Sequence, residues 1–177
     1  MNLSHIKEEI LMTTMDNLAA AFAGESQANR KYLAFAQKAE KDGLHQVAKL
    51  FRAAAEAETI HAHAHLRAMD GIKTTLENLE TAVEGEHHEF MEMYPGFLEQ
   101  AKEEGDKKAE ISFAYALAVE EIHHGLYEKA LASVKDGKDL AGAAIHVCPV
   151  CGNTVEGQVP DMCPVCSVPG NKFFEVS

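Results

Sequence analysis

Apolar residues recur every three or four positions along most of this chain, which is the spacing of one face of an α-helix. The pattern predicts four long helices: Thr14 to Lys41, Leu44 to Met69, a third from just after Thr75 towards Gly105, and a fourth from Asp106 to Lys135. Thr or Asp before a helix and Gly after it are typical start and stop signals. Pro95 lies within the third helix and removes one backbone hydrogen bond, so we expect a kink or a split there.

Long amphipathic helices joined by short links are typical of an antiparallel bundle. The length of the link between the second and third helices stays open. Beyond Gly137 the helical period is lost, so the chain divides into a bundle at 1–137, a linker at 138–146 and a C-terminal module at 147–177. A module of about 30 residues buries too little apolar surface to fold alone, so a bound metal must stabilise it.

Each predicted helix carries a glutamate on its most apolar face. Glu25, for example, shares a face with Phe22 and Tyr32. The corresponding residues of the other helices are Glu58, Glu86 and Glu120. Glu89 follows Glu86 by three residues and adds another carboxylate to the same face. Buried carboxylates repel one another, and the sequence offers no matching set of inward Lys or Arg. Bound cations remove this cost, so the pattern predicts a metal site inside the bundle.

Two of these glutamates are followed, three residues later, by a histidine: Glu58 by His61, and Glu120 by His123. This spacing puts both side chains on one helix face, close enough to bind the same metal. One Glu and one Glu-x-x-His from each helix pair form the ligand pattern of ferritin-like di-iron and di-manganese proteins.

The second motif has an alternative register, because Glu121 and His124 have the same spacing. The register with Glu120 and His123 is favoured, since its isoleucine matches the one in the first motif and its distance from the preceding carboxylate is similar.

All four cysteines lie in the C-terminal module, as two Cys-Pro-Val-Cys knuckles: Cys148 with Cys151, and Cys163 with Cys166. Four thiolates so placed suit a tetrahedral zinc or iron ion. A structural zinc ribbon is one interpretation. Beside a redox di-iron bundle, iron is favoured because it supplies electrons one at a time, which zinc does not.

The formal net charge of −12 argues against a nucleic-acid or anionic-membrane partner, since phosphates would be repelled. The apolar runs are shorter than the roughly 20 residues needed to cross a bilayer. The first residues contain acidic side chains where a signal peptide needs its apolar stretch. The sequence therefore predicts a cytoplasmic protein.

Together these motifs resemble the rubrerythrin family over essentially the whole chain. The matching positions are Glu25, Glu58-x-x-His61, Gly85-Glu86-x-x-Glu89 with Met93-Tyr94-Pro95 after it, Glu120-x-x-His123 and the two cysteine knuckles. The resemblance implies an all-α, ferritin-like four-helix bundle followed by a small, metal-stapled, rubredoxin-like β/loop domain. It also implies three irons, two in a di-iron site and one in a four-cysteine site. Ser167 departs from the pattern, because rubredoxins usually carry Gly after the second knuckle.

The resemblance further implies roles for individual residues. Glu58 and Glu120 would bridge the two irons, and the other ligands would be terminal. Glu89 would replace His61 on one iron when the site is oxidised. Two tyrosines would lie beside the metal ligands, although ordinary core packing is the alternative for each: Tyr32 and Tyr94.

The function that follows is reduction of hydrogen peroxide to water, as a protection against oxidative stress. Electrons would pass through the four-cysteine iron from an external reductase that draws on NAD(P)H. At least a homodimer is expected, because in family members this iron approaches the bundle of the partner chain. Two alternatives remain: a ferroxidase that handles iron, and a ferritin-like scaffold whose zinc ribbon binds a partner.

Overall fold

The structure is a computed structural model that describes residues 13–177, so the first twelve positions of the predicted bundle domain lie outside the described residues. The chain forms two compact units, one ending at Lys73 and the other spanning Thr74–Ser177. Among the described residues, no helix is both long and apolar enough to cross a membrane.

The first unit is a hairpin of two antiparallel helices, α1 (Thr14–Lys41) and α2 (His45–Ala68). Thr13 and Asp16 form a capping box at the start of α1, in which each side chain binds the backbone N–H of the other residue. The residues buried along the hairpin are mostly alanines, which allow the two backbones to approach closely: Ala36, Ala39, Ala48, Ala55 and Ala62.

In the second unit, the predicted third helix is interrupted, as expected. It consists of α3 (Thr75–His88), a π-helix (Glu89–Met93) and α4 (Tyr94–Glu104). The interruption precedes Pro95, which lies in the first turn of α4. A proline costs no helical hydrogen bond there, because the first N–H groups of a helix have no partner within it. The link from α2 to α3 is short and ends at the N-cap Thr74.

Helix α5 (Lys107–Lys135) packs antiparallel to the α3–α4 rod. Lys135 Nζ lies 3.2 Å from Glu80 Oε1 near one end, and the rings of Phe97 and Phe113 are 5.6 Å apart near the other. The four long helical segments predicted from the sequence are therefore confirmed.

The C-terminal module is a three-stranded antiparallel sheet in the order β2-β1-β3, and it belongs to the second unit. Its strands are β1 (Ile145–Val147), β2 (Thr154–Glu156) and β3 (Phe174–Glu175). Strand β1 begins within the segment assigned to the linker, and the three domain boundaries stay predictions. Strand β2 packs against α5, where Lys129 forms an ion pair with Glu156.

Candidate metal centres

The first unit brings Glu25, Glu58 and His61 together. One potential ligand atom from each lies within 4.8 Å of the others. Nδ1 of His61 is 2.9 Å from Oε2 of Glu58, as the spacing of three residues on α2 requires. The two glutamates are half-buried, whereas the His61 side chain is 56% exposed. This group offers two carboxylates and one imidazole to a cation.

Asn29, which the sequence analysis did not single out, holds α1 against α2 beside this group. It lies one turn after Glu25 and is only 8% exposed. Its side-chain amide donates to the backbone carbonyl of Ala55 at 2.6 Å and to the hydroxyl of Thr59 at 2.7 Å. An Asn on an apolar helix face was the available signal, because a buried amide needs partners.

The second unit brings Glu86, Glu120 and His123 together in the same way. Nδ1 of His123 lies 2.8 Å from Oε2 of Glu120 on the same helix and 3.9 Å from Oε2 of Glu86 on α3. In both groups, therefore, the same ring nitrogen faces the carboxylates.

In the alternative register of the second motif, the histidine, His124, contacts a different set of residues. Nδ1 of His124 lies 3.7 Å from Glu128, and its ring packs on Phe90 and His87 at centroid distances of 5.3 and 5.5 Å. The structure thus joins Glu120 and His123, rather than the next pair along α5, to Glu86.

Electrostatics in the second group favour a cation. Burial and, after it, the negative charge of Glu120 raise the pKa of Glu86 from its usual 4.5 to about 7, although His123 opposes the shift. Ionisation of such a carboxyl group is unfavourable unless a positive charge lies beside it. Sequence reasoning expected this repulsion.

Glu89 lies in the π-helix, outside the close group of three, but it experiences the same charges. Burial raises its pKa, and the charge of Glu120 adds to the effect. The pKa of Tyr94 is also raised, first by burial and then by the carboxylates of Glu89, Glu120 and Glu86. Both residues therefore lie within electrostatic reach of the second group. Single π turns inside α-helices occur frequently at functional sites.

Tyr32 packs in an aromatic cluster of the first unit. Its ring centroid is 6.3 Å from that of Phe35 and 6.1 Å from that of Phe51. These contacts fit ordinary packing between α1 and α2, so a part for Tyr32 in chemistry stays a prediction.

The four cysteines form a third group, with all of their Sγ atoms within 4.8 Å of one another. All four are free thiols. The Sγ pairs Cys148–Cys166 and Cys151–Cys163 are each 3.6 Å apart. A tetrahedral site with metal–sulfur bonds of about 2.3 Å has edges of about 3.8 Å, so this cage has the size that iron or zinc needs.

The two knuckles have matching turns. The N–H of Gly152 donates to Cys148 O, and the N–H of Ser167 donates to Cys163 O. Both turn residues have positive φ, +86° at Gly152 and +60° at Ser167. The departure from glycine noted in the sequence therefore falls at a position where L-residues are strained.

Backbone donors around the second knuckle favour a thiolate. Burial tends to raise the pKa of Cys163, but hydrogen bonds from the backbone of Cys166 and Val165, and from Asn153, lower it to about 6. Burial raises the pKa of Cys151. A cage with one ready thiolate and further thiols that ionise on binding is typical of a metal site.

The donor sets fit two kinds of iron site. Carboxylates and imidazoles on facing bundle helices suit a di-iron centre, and four sulfurs in a tetrahedron suit a mononuclear iron. The predicted glutamates, histidines and cysteines are thus gathered into three groups, with Glu89 and Tyr94 near one of them.

Known proteins show the same order of parts. The sequence model of the Rubrerythrin family matches residues 16–131, and that of the rubrerythrin rubredoxin-like domain matches residues 146–174. Rubrerythrin-2 of Clostridium acetobutylicum is 37% identical over 174 residues, covering 90% of this chain and 95% of that protein. Nigerythrin of Nitratidesulfovibrio vulgaris is 35% identical over 175 residues, covering 91% of this chain and 85% of that protein.

Solved structures agree with this likeness. Nigerythrin in its mixed-valent state is 32% identical, with a TM-score of 0.55 and coverage of 99% of this chain and 92% of that one. A structure of fully reduced, all-ferrous nigerythrin matches with the same values. The similarity spans both the helices and the cysteine module.

Proposed function

This chain belongs to the rubrerythrin family, and we propose that it reduces hydrogen peroxide to water with electrons relayed through its four-cysteine iron centre. Its fold is a ferritin-like helical bundle with a small rubredoxin-like domain. Its cofactors are a di-iron site and a four-cysteine iron site. It is a di-iron oxidoreductase of the peroxidase type.

The observation that carries the proposal is a contact between the cysteine module and a helix that bears candidate di-iron ligands. Nε2 of His123 on α5 lies 2.9 Å from Oγ1 of Thr154 on β2. An electron carrier that rests against the ligand of its acceptor is well placed to reduce it. A zinc ribbon used for partner binding does not need this contact.

We assign the iron ligands to the three groups of side chains. The two carboxylate–histidine groups would hold the di-iron site, and the four cysteines would hold the mononuclear iron. The bridging roles of Glu58 and Glu120 stay a prediction. The replacement of His61 by Glu89 on oxidation stays a prediction. The full set proposed as metal ligands is Glu25, Glu58, His61, Glu86, Glu89, Glu120, His123, Cys148, Cys151, Cys163 and Cys166.

The chemistry that the bound irons supply is two electrons and positive charge for cleavage of the O–O bond. The protein must then deliver two protons, so that one peroxide, two electrons and two protons become two waters. Glu89 is suited to deliver a proton, because its raised pKa keeps it protonated at higher pH than an ordinary glutamic acid. The hydroxyl of Tyr94, with its raised pKa, stays protonated and can donate a hydrogen bond.

The remaining parts of the proposal concern partners. We propose an external reductase that passes electrons from NAD(P)H to the four-cysteine iron, and at least a homodimer as the working assembly. The cytoplasmic location stays a prediction.

The test is a measurement of stoichiometry. The fully reduced protein is mixed with hydrogen peroxide without oxygen, and we expect one peroxide to be consumed for every two electrons lost. A ferroxidase would instead accumulate many irons per chain when supplied with ferrous iron and oxygen. Peroxide consumption that falls far short of the electrons lost would overturn the proposal.

Two variants of the π-helix sharpen the test. Glu89→Gln should slow peroxide turnover by about 100-fold or more while iron content stays near that of the natural protein. Glu92→Gln is the matched control, because Glu92 lies in the same π-helix but is exposed beside His88. Equal turnover in the two variants would remove Glu89 from the mechanism.

A further inference from the structure

We propose that Thr154 is a positioning residue that fixes His123 as a metal ligand through Nδ1, an inference that rests on the proposed function for its choice of ligands. The cysteine module would then do more than carry electrons. It would also hold one ligand of the di-iron site in place.

The two ring nitrogens of His123 face different partners. Nδ1 lies 2.8 Å from Glu120 Oε2, and Nε2 lies 2.9 Å from Thr154 Oγ1. A histidine that binds a metal through one nitrogen carries its proton on the other, and that N–H usually donates to a fixed acceptor. Thr154 is in the position of this acceptor.

The direction of the hydrogen bond follows from counting protons. The Thr154 hydroxyl has one hydrogen, and its oxygen is also 3.1 Å from the backbone carbonyl of Gly152. A carbonyl only accepts, so the hydroxyl donates to Gly152 and accepts from His123. The proton of the neutral ring is therefore on Nε2, and the lone pair of Nδ1 faces the carboxylates.

The position of Thr154 depends on the cysteine cage. Its neighbour Asn153 is 2% exposed; its carbonyl accepts from the N–H of Cys148 at 2.9 Å, and its amide donates to Cys163 Sγ at 3.6 Å. Gly152, which accepts the Thr154 hydroxyl, belongs to the first knuckle. Metal binding that orders the knuckles should therefore also order the partner of His123.

The two Glu-x-x-His motifs differ in this respect. His123 is 27% exposed and is held at both nitrogens, whereas His61 is 56% exposed and the structure shows its contact with Glu58 through Nδ1. The duplicated sequence motif thus gives one anchored histidine and one freer histidine. Thr154 is the residue that makes this difference.

The test uses Thr154→Val, which keeps the shape of the side chain but removes the hydroxyl, and Thr154→Ser, which restores it. The direct readout is nuclear magnetic resonance of the zinc-substituted full chain, where zinc is diamagnetic. We expect a His123 Nε2–H proton that exchanges slowly with water in the natural protein and in Thr154→Ser, and rapidly in Thr154→Val. An equally slow proton in Thr154→Val would overturn the proposal.

The second readout is the affinity of the group containing His123 for zinc. Loss of a partner of this kind weakens metal binding by about 10-fold to 100-fold. We expect this loss in Thr154→Val and recovery in Thr154→Ser. Thr81→Val is the matched control, because the exposed Thr81 hydroxyl donates within its own helix, to Glu77 O. A Thr154→Val protein that binds zinc as tightly as the control would also overturn the proposal.

The variant Lys129→Gln tests whether docking of the cysteine module against α5, rather than the Thr154 hydroxyl, explains the effect. It removes the ion pair with Glu156 and keeps both residues of the His123–Thr154 contact. We expect this variant to keep the slowly exchanging Nε2–H. If it lost that proton to the same extent as Thr154→Val, docking alone would explain the effect and the proposal would fail. A natural protein that shows the expected proton but does not reduce peroxide would contradict the proposed function and leave the role of Thr154 supported.

Discussion

The side-chain amide of Asn29 donates a hydrogen bond of 2.6 Å to the backbone carbonyl of Ala55, on the neighbouring helix. That carbonyl also accepts the hydroxyl of Thr59 at 3.1 Å, so one oxygen joins both helices. The polar link lies between the helices that carry Glu25 and Glu58. It fixes the spacing of two proposed ligands without being a ligand itself.

Replacing Asn29 should therefore loosen the first unit. Asn29→Ala leaves the Ala55 carbonyl and the Thr59 hydroxyl with fewer partners, and we expect it to lower the free energy of unfolding by about 1–3 kcal/mol. Thermal unfolding of the full chain, followed by circular dichroism, measures this. Asn17→Ala, at an exposed position of the same helix, is the control and should change little. Equal losses in both would mean that the interhelical link is not responsible, because Ala forms helices more readily than Asn and propensity alone would stabilise both variants.

The metal-free protein should become less stable as pH rises, because of Glu86. Its pKa is raised from 4.5 to about 7 in the folded state, so the folded state binds this proton more tightly than the unfolded chain. The stabilising contribution is fully present below about pH 4.5 and is lost as pH rises through about 7. We expect the unfolding temperature of metal-free protein to fall over that range.

Glu86→Gln should flatten this dependence, because the neutral side chain has no proton to lose. Glu84→Gln, at an exposed position of the same helix, should leave the slope unchanged. Unfolding temperatures with and without a chelator complete the test, since bound metal favours the ionised carboxylate and should reverse the trend. An unaltered slope in Glu86→Gln would place the titrating group elsewhere.

Substitutions at the turn residues of the two cysteine knuckles should change the stability of the module in opposite directions. Ser167 has a φ of +60°, so Ser167→Gly should stabilise the module by about 1 kcal/mol. Gly152 has a φ of +86°, so Gly152→Ala should destabilise it by a similar amount. Resistance of the metal-loaded module to chelation measures both. The explanation based on backbone strain fails if the two substitutions shift stability in the same direction.

Local signals along the chain predicted most of the helical fold. The capping residue Thr13 and the Asp42-Gly43 stop bracket α1, and the same logic placed the ends of α2 and α5 within a residue or two. These signals work because a helix end must satisfy its own backbone groups from nearby residues. The cysteine cage and the two Glu-x-x-His motifs could be predicted for a similar reason, because the spacing of their ligands is a short-range feature of the sequence.

Contacts between distant segments could not be predicted from the sequence. Nothing in the spacing of α5 and β2 indicates that Thr154 meets His123, because the two lie 31 residues apart and belong to different elements. The π-helix was also missed: Pro95 predicted a break, but the widened turn lies before the proline, at Glu89–Met93. A turn of this kind is set by how the rod packs along its neighbour, which propensity does not report.

That widened turn has a mechanical consequence for everything after it. A π turn accommodates about one more residue than an α turn, and one residue corresponds to about 100° of rotation around a helix axis. Converting this turn into an ordinary α-helical turn with every residue kept would twist the second half of the rod by that amount. The rings of Tyr94 and Phe97 would then swing off Phe113, which they now meet at 6.3 and 5.6 Å. The π turn thus absorbs one residue without rotating the second half of the rod, and Glu86 and Tyr94 both stay on the side that faces α5.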